Sequence, residues 1–433
     1  MLTFATQART KAQAHTAAGT QVGLVAAGAT LLAGIVYRTY AIAMPSSAME
    51  ITRQLGLVFV AAEIAVILIA RHQGLSWSAY WGALRGFHKA ALVVFASLFW
   101  LSSALVSPLA VISTFLSLTW FVHIAFGVAV HHLFRRVGTQ SNDSFSLVLL
   151  AGFMALLPMV AIHFAGGPVP ISDGSIDWGS SIPGFISERL FGAYAGAMAC
   201  LAAGLLWKSD HKKSSLTIGY VVLTVCLSAA FWSGTRAAIL GICFAGLMGY
   251  MTTRRVPPRR LVLLFPLCCV MALALALPIA PNDPGFQLYA TGDYSSAEAA
   301  SAGRMTLWLN AWNAFAGEPW LGGGSAANFW LPPIGDAHHV QPHNAVLQFL
   351  MSWGLPASAA ALILLGCATW EAHRRVRLHQ NLLPVLMMLD CLLVISLVDG
   401  MLYFPRFVML IVSALAICLA APDDKQTGAP NQR

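Results

Sequence analysis

The sequence predicts an all-α, polytopic integral membrane protein, and three observations carry that prediction. Of the 433 residues, 58% are hydrophobic and only 10% are charged, whereas a typical soluble domain carries about 25% charged residues. Apolar runs of about 20 residues, each long enough to cross roughly 30 Å of hydrocarbon as a helix, recur almost to the C-terminus. The basic residues fall between those runs instead of forming one surface. Composition therefore excludes a soluble enzyme, and membrane orientation explains the net charge of +8 better than nucleic-acid binding does.

Twelve spans are expected near residues 22–42, 55–70, 89–107, 109–133, 144–165, 190–207, 216–234, 237–253, 261–280, 344–369, 382–399 and 406–421. The first is longer than a signal-peptide core of about 7–15 residues and is expected to be retained. With the N-terminus inside, 19 basic residues, every lysine among them, fall on the inner side, and only Arg38, Arg53, Arg189, Arg236, Arg304 and Arg406 fall outside. Lys and Arg bias sets topology in this way, so both termini are expected to be cytoplasmic. The expected organisation is spans one to nine in 1–280, a large outer loop in 281–342, spans ten to twelve in 343–421 and a cytoplasmic tail in 422–433.

The outer loop is too long for a simple connector. Within it, Arg304, Leu307, Trp308, Ala311, Trp312 and Phe315 recur at helical spacing, a face suited to lying on a membrane surface. Pro319, Trp320, Leu321, Gly322, Gly323 and Gly324 then break the helix and turn the chain. Ser325 follows in a loop expected to be reachable from outside. All eight cysteines lie in apolar runs without a CxxC pair, so neither a disulfide framework nor a cysteine metal site is indicated.

The outer cations are all arginines, whose planar fork binds phosphate oxygens bidentately. The plain alternative is interfacial snorkelling, favoured for Arg38, Arg53 and Arg406. Arg189, Arg236 and Arg304 each sit in a distinctive segment. These are Arg189-Leu190-Phe191-Gly192, then Ser233-Gly234-Thr235-Arg236, then Gly303-Arg304 followed by Pro319 and the three glycines, and finally His343-Asn344 with Gly354 beyond. In this order and on one membrane side, the segments resemble the O-antigen ligase and polymerase superfamily of bacterial envelope glycosyltransferases. The resemblance covers mainly residues 185–360, and Ala357 departs from the Gly, Thr or Tyr that ligases commonly carry there.

The resemblance implies a GT-C-like membrane glycosyltransferase acting at the periplasmic face of the inner membrane. Its donor would be O-antigen glycan on undecaprenyl diphosphate, its acceptor a lipid A core sugar, and its surroundings membrane lipids, with no nucleic acid and no metal or nucleotide cofactor. His343, at the outer end of span ten, is the expected general base. Arg236 and Arg304 would hold the leaving diphosphate, with Arg189, Asn344 and Trp308 binding substrate. Gly354, 11 residues beyond His343, is expected on the same helix face, leaving room for a neighbour.

His338 and His339, with Asp336, suggest a metal cluster, but the spacing to His343 lacks the glutamate of HExxH. They are read as tuning His343, binding sugar, or one of them serving as the base instead. Glu63, His123, His163 and Asp390 are expensive in lipid and are expected to face the bundle interior in structural roles. Asp399, at the outer end of span eleven, is expected to orient a histidine or an arginine. Alternative functions are an O-antigen polymerase or protein O-oligosaccharyltransferase of the same superfamily and, more distantly, a lipid-linked glycan transporter.

Overall fold

A computed structural model describes residues 18–36, 56–137, 141–165, 182–185, 187–208, 213–279, 304–327 and 341–422. Its regular elements are all helical among the described residues: α1 (Ala18–Val36), α2 (Leu57–His72), α3 (Trp77–Ala83), α4 (Gly86–Leu101), α5 (Ala110–Val137), α6 (Ser141–Ala165), α7 (Glu188–Trp207), α8 (Lys213–Trp232), α9 (Arg236–Thr253), α10 (Arg259–Ala276), α11 (Arg304–Gly317), α12 (Ala345–Leu378), α13 (Leu383–Asp399) and α14 (Pro405–Ala420). Nine of the described helices are long and apolar enough to cross a membrane on their own. The other three expected spans fall on the α2–α3 pair, which bends by 91°, and on the shorter apolar helices α8 and α14.

Helix α7 lies at the centre, almost wholly buried and packed against α8, α9 and α13. Its sequence explains this position, because glycine and alanine along its length let neighbouring backbones approach closely. A Cβ at Gly192 would lie 2.1 Å from both Ser233 Oγ and Thr235 Oγ1, and one at Gly196 would lie 3.0 Å from Ala238 Cβ. The start of α9 is thereby seated on α7.

Helix α12 is broken at Gly354, whose φ of 70° and ψ of 177° are not helical. This corrects the expectation that Gly354 shares a face with His343, since helical register does not run through the break. The cause is local: Pro356 has no N–H to offer the Ser352 carbonyl, and the Leu355 N–H turns away to the Pro319 carbonyl at 2.8 Å. The glycine turn fills the gap, Gly323 N–H donating to Met351 O and Gly324 N–H to Ser352 O, each at 2.8 Å. A Cβ at Gly354 would come within 2.3 Å of Trp320 O, so only glycine permits this approach.

Side chains lock the same junction. Trp353 stacks on Phe349 at 4.4 Å, meets Phe95, Phe99 and Trp120 edge to face, and donates its Nε1–H to Ser325 Oγ at 2.9 Å. Ser325 also meets Ser117 at 2.9 Å and Ser103 at 3.2 Å, in a buried hydroxyl network that reaches the π-turn Ser102–Val106 at the end of α4. At 9% exposure Ser325 is not the accessible loop position that the sequence suggested.

Candidate functional site

The site is built from helix starts and one helix end. Arg189, Arg236 and Arg304 each stand in the first turn of a helix, respectively α7, α9 and α11. A cation there opposes the helix dipole, whereas an anion would be held by the dipole and the cations together. Ser187 caps α7 by accepting from Leu190 N–H at 3.3 Å. Ser233, at the end of α8, donates to Ala230 O at 2.7 Å and lies 2.9 Å from Thr235 Oγ1, which shapes the turn that delivers Arg236. Because that turn rests on Gly192, the arginine segments of α7 and α9 are held against one another.

Arg304 joins them electrostatically. Burial lowers its pKa from the usual guanidinium range, the Asp399 carboxylate pulls the other way, and the positive charges of Arg189 and Arg236 add to the lowering. Arg304 is thus a partly buried group placed among other cations. Arg189 has a partial counter-charge in Glu188, its Nε lying 3.5 Å from Oε1, while Arg236 is exposed.

His343 lies just before α12. Asn344 is the N-cap, its Oδ1 accepting from Val346 and Leu347 N–H at 3.0 Å each, so its visible work is to start the helix. His343 itself is left-handed, with φ of 53°, a conformation that costs a non-glycine residue about 1–2 kcal/mol and is therefore imposed by its surroundings. Its Nδ1 lies 2.8 Å from Asp399 Oδ1, and the same oxygen lies 3.4 Å from Arg304 Nη2. Asp399, only 2% exposed at the side chain, thus links the expected base to an expected diphosphate-binding arginine. Gln341 completes the corner by donating to Asp399 O at 3.3 Å.

Four buried polar atoms in this region have no hydrogen-bond partner among the described residues: the donors Arg304 Nε and Trp308 Nε1, and the acceptors Asp399 Oδ2 and Gln341 Oε1. Such groups are costly unless something pairs with them. Sequence reasoning did not single out Gln341. A glutamine two residues before a histidine is too common a pattern to signal it.

The other expectations divide. Ala311 and Phe315 of α11 pack with Met351 and Ala327 and Leu307 is buried, while Trp312, Leu309 and Met305 are exposed. The supposed single membrane-facing stripe is therefore split between protein and surroundings. Arg406 is no snorkelling residue: it is buried, donates to Gly184 O at 2.5 Å and lies over Phe185 at 3.8 Å. Arg38, Arg53, Asp336, His338 and His339 lie outside the described residues, as does the His163 side chain.

With the geometry in view, comparison with known families is informative. Residues 220–365 match the family model described as O-Antigen ligase. The match supports a likeness of this segment to the O-antigen ligase superfamily. The matched segment holds Arg236, Arg304, Trp308, His343, Asn344 and Gly354, while Arg189 and Asp399 lie outside it and enter the site through the fold. No individual curated protein matches the chain.

Proposed function

We propose that the protein is a metal-independent, inverting glycosyltransferase that moves O-antigen glycan from undecaprenyl diphosphate to a lipid A core sugar. The reaction takes place at the periplasmic face of the bacterial inner membrane, with both termini cytoplasmic. The observation that carries this reading is the sharing of Asp399 by His343 and Arg304, which sets a proton acceptor beside an anion-binding group.

Asp399 takes the Nδ1–H of His343, leaving the lone pair on Nε2 as the proton acceptor. In the reaction the acceptor hydroxyl gives its proton to Nε2 as its oxygen bonds to the anomeric carbon. The bond from that carbon to the diphosphate oxygen breaks, and undecaprenyl diphosphate leaves with the electron pair. Attack opposite the leaving group inverts the anomeric centre. Arg304, Arg236 and Arg189 receive the growing negative charge, with Arg304 Nε and Trp308 Nε1 as unused donors. Asp399 Oδ2 and Gln341 Oε1 offer acceptors to the incoming sugar's hydroxyl groups. His338 and His339 remain candidates for tuning the base or binding sugar.

Deleting the gene and resolving the cell's lipopolysaccharide on a gel tests the reading. Core without polymer, together with accumulated lipid-linked polymer, is expected. Cores capped by single repeats would replace the ligase by a polymerase; unchanged lipopolysaccharide with lost glycoprotein would point to a protein O-oligosaccharyltransferase. Transfer by purified protein should persist in excess EDTA without ATP.

A further inference from the structure

At the end of the bundle opposite the candidate site, α2 turns through 91° into α3. The bend is made by Gly74, with φ of 90°, and pinned by buried Leu75. Ser76 caps α3 by accepting from Ala79 N–H at 3.4 Å. No residue of α3 is buried, and Trp77, Trp81, Leu84 and Phe87 in and after it are exposed. A short helix turned across the bundle axis and carrying exposed tryptophans suits the layer between hydrocarbon and headgroups.

Charge gives this elbow its selectivity. Arg71, Arg85, Lys89, Arg135 and Arg136 lie on the elements that frame it, and none pairs with a carboxylate among the described residues. Three other cations at this end are neutralised, Lys208 by Asp143 at 2.7 Å and Arg374 and Arg375 by Glu371 at 2.8 and 2.7 Å, whereas Arg254, Arg255, Arg259 and Arg260 between α9 and α10 have no carboxylate partner among the described residues and no tryptophan beside them in the loop. Two of the elbow's cations contact it directly, and Tyr80 ties it to α5. Lys89 Nζ stands 5.9 Å over the Trp81 ring, Arg136 donates to the Gln73 carbonyl, and Tyr80 OH is 2.9 Å from His131 Nδ1 on α5.

We propose that the α2–α3 elbow binds an anionic diacyl phospholipid of the leaflet opposite the candidate site. The headgroup phosphate lies among Arg85, Lys89 and Arg135, and the acyl chains lie against Trp77, Trp81 and Phe87. Charge complementarity selects the headgroup, and the exposed aromatic rings select a lipid over a soluble phosphate.

The test is native mass spectrometry and thermal unfolding of the full-length protein in detergent, titrated with dioleoylphosphatidylglycerol or dioleoylphosphatidylcholine. Wild type should retain the anionic lipid and unfold at higher temperature with it, and respond little to the zwitterionic one. Arg85→Gln/Lys89→Gln/Arg135→Gln should weaken retention on the order of 100-fold, from the attraction typical of one basic residue near an anionic surface. Arg254→Gln/Arg255→Gln/Arg259→Gln, with the same charge loss at a loop without aromatic residues, should retain it. Lys89→Gln alone, the variant to use if the triple one misfolds, should lose a few-fold. Equal loss in both triple variants, no loss in the elbow variants, or equal protection by inorganic phosphate would each overturn the proposal.

Discussion

The two ends of the α12–α13 pair carry the same chemical couple in different company. At one end His343 meets Asp399 at 2.8 Å; at the other His373 meets Asp390 at 3.0 Å. Their histidines are nearly equally exposed, 18% and 16% at the side chain. Accessibility therefore does not distinguish them. What differs is the rest of each shell: His373 Nδ1 is 2.6 Å from Thr252 Oγ1, so both ring nitrogens are engaged within one helix-packing contact. His343 stands in a left-handed turn beside a carboxylate that Arg304 also uses. A third couple, Glu63 with His123 at 2.6 Å, joins α2 to α5 inside the bundle. A carboxylate and a histidine make a clasp, and it takes an imposed backbone and a neighbouring cation to make that clasp a candidate centre.

Substitutions can break this contrast. The largest effect is expected from His343→Ala, which should lower single-turnover glycan transfer by about 10²- to 10⁴-fold, the usual contribution of a general base. His373→Ala should change the same rate by less than about threefold and appear instead as lower thermal stability. Equal losses of transfer would erase the distinction. Asp399→Asn should follow closely behind His343→Ala, because an amide allows the ring to present the wrong tautomer. Its asparagine counterpart at Asp390 should transfer normally.

Arg304→Lys is expected to lose nearly as much transfer as Arg304→Ala, on the order of 10²-fold, since a point charge does not reproduce the guanidinium fork. Full activity of the lysine variant, measured with lipid-linked donor, would reduce Arg304 to a diffuse electrostatic role. The smallest expected effect has the opposite sign. His343→Gly should abolish transfer yet unfold slightly later than His343→Ala, by up to about 1 kcal/mol, because glycine accepts the left-handed turn. Thermal unfolding of the two variants side by side decides whether the backbone at His343 is strained.

The membrane class and the helix positions were legible because apolar length is a property of consecutive residues, and each expected span overlaps a described helix or bent pair. The motif residues were legible as a set, yet their assembly was not. Nothing in the order of residues says that Gly192 seats the Ser233–Thr235 turn, or that Asp399, 56 positions after His343, is its partner. Asp399 was suggested by its place at a span end, and Glu63, His123 and Asp390 by the cost of charge in lipid; their pairings required the packing. The Gly354 expectation failed for a definite reason. Counting turns assumes an unbroken helix, and Pro356 removes the hydrogen bond that would keep it so.

The junction at Gly354 also has a consequence for how the chain is assembled. Residues 319–324 are made before α12, yet their Gly323 and Gly324 amides complete the hydrogen bonding of Met351 and Ser352 carbonyls that emerge later. Until the turn docks, those carbonyls lie at a helix break without main-chain partners, a costly state away from water. The turn of residues 319–324 can therefore close this junction only once α12 has been made. Formation of α12 by itself thus leaves the break incomplete, and it is the earlier turn that completes it.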